Sequence, residues 1–220
     1  ANVVRAVVDA AKRGADYFQR PYVGASFEAV TPEIAEALGM DRPVGALTTN
    51  IVPDSPAARA GLKAADVVVA VNGNPTDTPE ALEYRLATLP IGETAEIEIL
   101  RNGERLELAL PVERAPEGEG RQAEIGGRGP FAGARVAELS PALAQRMRLD
   151  VNRTGVVVVA LARGAPAASI GLRPGDIIRE INGEGITTVE QMKALAESGE
   201  RWWRFTIERD GRTIRQTMRF

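Results

Sequence analysis

Ser55-Pro-Ala-Ala-Arg-Ala-Gly-Leu-Lys-Ala-Ala-Asp66-Val-Val-Val-Ala-Val-Asn72-Gly73 aligns without a gap on Ala165-Pro-Ala-Ala-Ser-Ile-Gly-Leu-Arg-Pro-Gly-Asp176-Ile-Ile-Arg-Glu-Ile-Asn182-Gly183. The register is constant, with Gly61 over Gly171, Asp66 over Asp176 and Asn72 over Asn182. Each stretch has a Pro at a first helical position, a Gly where the short helix closes, a β-branched run and an Asn-Gly turn pair. Upstream the match continues with a slip of one residue: Tyr22-Val23-Gly24-Ala25 over Phe131-Ala132-Gly133-Ala134, and Thr31-Pro32 over Ser140-Pro141. A long period present only twice argues for two domains of about 90 residues rather than a solenoid.

Outward from the repeat, each copy has the same grammar. In the first, a short extended segment over residues 22–28 leads to Thr31, a good N-cap, with Pro32 at the first helical position. An apolar strand over 45–52 follows, and Asp54-Ser55-Pro56 caps a single-turn helix ending at Gly61. Residues 67–71 form a buried strand, Thr78 caps a helix over 79–89, and strands over 95–100 and 105–110 close around Asn102-Gly103. The second copy ends in the same way around Asp210-Gly211. Five or six short strands with two small helices predict a small, partly open β-barrel capped by helices, so the fold class is mainly β with short helices.

The stretch from Glu113 to Gly129 is rich in Gly and charge, and its composition reads as a flexible linker. Its glycines neither follow a predicted strand nor open a helix, which argues against a phosphate loop. The expected division is residues 1–20 as a lead-in helix, 21–113 as the first domain, 114–129 as linker and 130–220 as the second domain. Val4, Val7, Val8 and Ala11 fall on one face of the lead-in helix, and a helix this short cannot bury that face alone. It packs either on the first domain or on a domain outside this sequence.

The composition removes whole classes of mechanism. The 220 residues are 44% hydrophobic and 26% charged with a net charge of −3, the profile of an ordinary soluble globular protein. There is no His and no Cys. That excludes a Ser-His-Asp or Cys-His site, a zinc centre of the usual ligand types and any disulfide, and no cofactor is implied. A Ser-Lys pair is the remaining nucleophile chemistry, but Lys12, Lys63 and Lys193 accompany no Gly-x-Ser-x-Gly elbow. Arginines interspersed with acids give no basic field for nucleic acid. The apolar runs are far shorter than the roughly 20 residues of a membrane span, and no secretory leader pattern opens the sequence. The sequon Asn152-Arg-Thr reads as a chance match outside a eukaryotic secretory pathway.

An aromatic-x-Gly-apolar loop, then Pro-Ala-Ala-x-x-Gly-Leu-x-x-x-Asp, then Asn-Gly, occurring twice in this order, resembles bacterial-type PDZ domains. The tandem closely resembles the C-terminal half of Do-like (HtrA/Deg-type) serine proteases. The resemblance covers about 200 residues and implies two PDZ-like, partly open barrels in tandem. Residues 1–20 look like the helix that leads out of the family's protease domain, and nothing resembling the protease body is present. By this resemblance the catalytic His, Asp and Ser would lie upstream of Ala1.

The resemblance also implies a chemistry. A PDZ domain adds an extended peptide to a sheet edge and captures its terminal carboxylate on loop amides, which requires Gly where backbone and ligand approach closely. The carboxylate would meet amides near Val23, Gly24 and Ala25 in the first domain, and near Ala132, Gly133 and Ala134 in the second. The peptide would pair with the strand through Ser26 and Phe27, or through Arg135 and Val136. Its last side chain would enter a pocket walled by Leu82 and Leu86, or by Met192 and Leu195. Arg20 or Arg128 could support the carboxylate, and Tyr22 and Phe131 either shape the loop or plug the barrel end. Implied partners are unfolded polypeptides or protein C-termini, a protease domain and further copies in a homo-oligomer, in the periplasm or cell envelope. A different reading, an assembly scaffold that binds no free peptide, stays open. One departure stands out: Ala64-Ala65-Asp66 replaces the Pro174-Gly175-Asp176 of the second copy, so either the turn differs or the first domain carries strain.

Overall fold

A computed structural model describes residues 20–220 of the chain, so the lead-in helix expected over 1–20 falls, but for Arg20, outside the described residues. The described residues divide into two compact units, the first ending at Ala115 and the second running from Pro116 to Phe220. The first contains β1 (Pro21–Tyr22), β2 (Ala25–Ala29), α1 (Pro32–Ala37), β3 (Ala46–Ile51), α2 (Pro56–Arg59), β4 (Val67–Val71), β5 (Asn74–Pro75), α3 (Pro79–Ala87), β6 (Thr94–Arg101), β7 (Glu104–Pro111) and β8 (Glu113–Arg114). The second contains β9 (Gln122–Glu124), β10 (Ala134–Glu138), α4 (Pro141–Met147), β11 (Val156–Leu161), α5 (Pro166–Ser169), β12 (Ile177–Ile181), β13 (Glu184–Gly185), α6 (Val189–Ala196), β14 (Trp202–Arg209) and β15 (Arg212–Arg219).

Both main sheets are antiparallel and open; neither closes into a barrel. The first runs β2-β3-β4-β6-β7 with β5 on β4, and β1 pairs separately with β8. The second runs β15-β14-β12-β11-β10-β9 with β13 on β12. The duplicated sequence therefore gives duplicated sheets, but the second carries an extra strand beyond the counterpart of β2.

Local chemistry fixes the elements as the sequence predicts. Thr31, Ser55, Thr78, Ser140 and Thr188 each cap a helix, with the hydroxyl accepting from a backbone N–H three residues on. Asn102-Gly103 and Asp210-Gly211 turn their hairpins with positive φ at all four positions. The core of the first unit gathers Val68, Val71, Leu82, Leu86, Ile97, Ile99 and Leu110. That of the second gathers Val136, Val156, Ile178, Met192, Trp203 and Phe205. In the second core, Phe131 sits edge-on to Trp203 and Phe205, with ring centroids 5.8 and 5.1 Å away.

Of the linker expected over 114–129, Arg114 pairs with Pro21 in the first unit, and residues from Pro116 on are a structured part of the second unit. Pro116 O accepts from Ala142 N at 3.2 Å, Glu117 pairs with Arg146 at 2.8 Å, and β9 pairs along β10. Gly and charge suggested mobility because most of these side chains bury nothing. The backbone ladder and one apolar residue, Ile125, are what hold the segment in place.

Candidate functional site

The aromatic-x-Gly-apolar loops have the same internal wiring in both units. Gly24 O accepts from Val52 N and Gly133 O from Ala162 N, each at 2.8 Å. Val23 O accepts from Ala57 N and Ala132 O from Ala167 N, at 3.0 and 3.2 Å. The carbonyls are thus tied to the strand and short helix behind the loop, a requirement for loop amides to point the other way. Gly24 and Gly133 have φ of 71° and 78°. A Cβ on Gly24 would stand 2.2 Å from Ser55 Cβ, and one on Gly133 2.4 Å from Ala165 Cβ. Backbone conformation and close approach both demand glycine at these positions.

Beyond each loop the strand that follows it lies against the long helix: β2 against α3 in the first unit, β10 against α6 in the second. The predicted residues divide between buried and partly buried positions. Leu82, Leu86 and Met192 are buried in the cores, while Leu195, Val23 and Phe27 pack against them half-exposed. Tyr22, Ala25, Phe131, Ala132, Ala134 and Val136 are buried. Burial raises the Tyr22 hydroxyl pKa above its ordinary value. Ser26 is half-exposed, and Arg20, Arg128 and Arg135 are exposed.

In the second unit the edge of β10 is covered by the chain itself. Strand β9 runs antiparallel to β10, with Glu124 opposite Arg135, Ala123 opposite Val136 and Gln122 opposite Ala137. The ladder extends past both ends: Glu138 N donates to Arg121 O at 3.0 Å, and Ile125 N donates to Ala134 O at 2.8 Å. At the loop, Gly133 N donates to Ile125 O at 2.8 Å. The Ile125 side chain, 1% exposed, joins the cluster of Phe131, Met192, Ala196 and Trp203, and Ala123 packs on the same cluster. Gln122 and Glu124 face solvent, the two-residue alternation of a strand with one buried side. Past Ile125 the chain turns away, with Gly126 N donating to Glu197 Oε1 at 3.0 Å beyond the end of α6. A Cβ at Gly129 would lie 2.9 Å from Ala196 O, so the glycines let the backbone pass close to that helix end.

Sequence reasoning missed Ile125, Ala123 and Glu197 as site residues. The available signal was small: Ile125 is the one large aliphatic residue between Glu113 and Gly129. Two further residues went unnoticed, Arg101 and Arg209. Each clamps the motif's buried aspartate, with Arg101 Nε on Asp66 Oδ1 at 2.7 Å and Arg209 Nε on Asp176 Oδ1 at 2.6 Å. Their Nη2 groups reach Gly61 O and Gly171 O, closing the short helix. These bonds to aspartate hold both guanidinium pKa values above their ordinary range.

The fold and loops are those of PDZ domains. PDZ-domain family models match residues 21–112 and 157–209, and the chain belongs to this family as a tandem of two. It is similar to a DegP-like periplasmic serine endoprotease of Pseudomonas savastanoi pv. phaseolicola, 33% identical over 184 residues that cover 81% of this chain and 38% of that protein. A DegP-like relative from Chlamydia trachomatis is 29% identical over 181 residues, covering 82% of this chain and 35% of its own length. Among solved structures, the HtrA-type protease AlgW with decapeptide matches 53% of this chain and 35% of its own at 27% identity, with a TM-score of 0.45. The chain thus spans little more than a third of the curated relatives it matches. No helix among the described residues is long and apolar enough to cross a membrane.

Proposed function

We propose that the tandem captures extended or C-terminal segments of unfolded polypeptides by β-augmentation, as the peptide-binding and regulatory pair of a Do-like serine endopeptidase in the cell envelope. The supporting observation is the groove beside β10: an extended segment lies there with its backbone on the strand, an aliphatic side chain in the apolar pocket and a carbonyl on the Gly133 amide. A ligand carboxylate fits the position of that carbonyl. The equivalent loop at Gly24, with the same wiring, offers the first unit the same chemistry. Few ligand residues are read, so affinity should be on the order of micromolar or weaker.

The test is fluorescence anisotropy of the chain with peptides ending in an aliphatic residue, free or amidated. Binding of the free acid with clear loss on amidation is the expected result, and equal binding would remove carboxylate capture. In this reading the pair adjoins a protease domain and helps tie protomers into a homo-oligomer. The covered edge of β10 lends weight to a second reading, in which the domains serve assembly and bind no free peptide. Light scattering separates them: complete oligomerisation by this chain together with no peptide binding would favour assembly.

A further inference from the structure

Residues 121–125 do more than extend a sheet. Their backbone bonds, side-chain alternation and seat at the loop are those a foreign strand would have to adopt in the same groove. They are joined to the rest of the unit by glycine-rich turns, Gly118 and Gly120 before and Gly126 and Gly127 after. We propose that residues 121–125 are an internal ligand of the second PDZ groove, closing it to other peptides while seated. Their chemistry also defines what can replace them: an extended chain with a large aliphatic residue at the loop, as Ile125, and a small apolar residue two positions earlier, as Ala123. This rests on the reading of the grooves as peptide-binding and adds that the two are unequal, the second being gated by its own chain.

The second unit is built to hold the segment reversibly. The apolar hold is one side chain, Ile125, with Ala123 contributing part of its small surface. Gln122 and Glu124 are solvated. Polar groups bracket the ends, where Arg121 faces Glu138 at 3.9 Å and Gly126 is held by Glu197. A tethered segment competes at an effective concentration of about millimolar, so a free peptide of micromolar intrinsic affinity should bind the native second groove about tenfold or more weakly.

The chain supplies its own reporter, because both tryptophans, Trp202 and Trp203, lie in the second unit and Trp203 shares the cluster with Ile125. The probe is the peptide Arg-Gln-Ala-Glu-Ile with a free carboxylate, labelled for anisotropy and unlabelled for tryptophan emission. The Ile125→Ser chain is expected to show an emission change with at least tenfold tighter midpoint than the native chain. Equal midpoints overturn the proposal. Hydrogen exchange on the native chain is a second measurement that needs no variant. The Ile125 and Gly133 amides should be protected, and the Ile125 amide should lose protection as peptide is raised to millimolar levels. Rapid exchange without peptide, or protection unchanged at those levels, also overturns it. Anisotropy binding without an emission change in Ile125→Ser sinks the internal ligand alone. No binding to either chain sinks the peptide-binding reading and this proposal with it.

Discussion

At Ala65 the first repeat copy departs from the second without changing the backbone. Ala65 N donates to Thr48 O and Gly175 N to Val158 O, each at 2.9 Å, and φ is 69° and 97°. The turn is the same, so of the two outcomes open in the sequence the structure supports strain. A left-handed alanine costs about 1 to 2 kcal/mol, while glycine adds about 0.5 to 1 kcal/mol of unfolded-state entropy to be lost on folding. The first term is larger, so Ala65→Gly should raise stability by about 0.5 to 1 kcal/mol, read as an increased urea midpoint with unchanged slope. The aspartate one residue on is under a different constraint. Asp176 is 1% exposed, and Arg209 is the cation that faces it. Arg209→Met leaves a buried carboxylate without its charge partner, which should cost about 3 kcal/mol by urea unfolding. A change under 1 kcal/mol would show that the backbone bond from Arg173 N suffices to hold Asp176.

Among elements, the two short helices differ at one cap, and the difference can be measured. Ser55 Oγ accepts from Ala58 N and donates to Gly24 O, both at 3.2 Å, linking α2 to the loop, whereas the corresponding Ala165 makes no side-chain cap bond. Ser55→Ala should therefore cost about 1 kcal/mol yet keep the loop shape, since the second unit builds the same loop without it. A thermal melt gives the first quantity, and peptide affinity at the first domain, expected to stay within about twofold, gives the second. Elements of this kind were legible in sequence because their causes are local: hydroxyl caps, proline at the helix start, Asn-Gly turns and β-branched runs. The loops were legible for the same reason, Gly24 and Gly133 being required by φ and close approach. Strand β9 was not. Gln122, Ala123 and Glu124 have little intrinsic strand preference, and what makes them a strand is the edge of β10 and a pocket that accepts Ile125. Arg101 and Arg209 were hidden likewise, because their aspartates lie 35 and 33 residues away in the chain.

For the molecule as a whole, the position of the second domain's N-terminal boundary decides how much stability that domain has. A boundary drawn by composition falls at Pro130, after the glycines; one drawn by contacts falls at Pro116. The shorter version loses β9, the Ile125 side chain from the core and the Glu117–Arg146 pair. The exposed ion pair contributes under about 1 kcal/mol, so the apolar loss dominates. Burying an isoleucine contributes about 1.5 to 3 kcal/mol, and the vacated pocket adds to the deficit unless it collapses. A protein of residues 116–220 should thus exceed one of residues 130–220 by about 3 kcal/mol in urea unfolding, followed by tryptophan emission. The stability difference should shrink when the shorter protein is given saturating Arg-Gln-Ala-Glu-Ile peptide, because a ligand that binds only the folded state stabilises it by mass action. Equal stabilities for the two proteins would mean that residues 116–129 contribute nothing to the fold, in line with their composition and against their contacts.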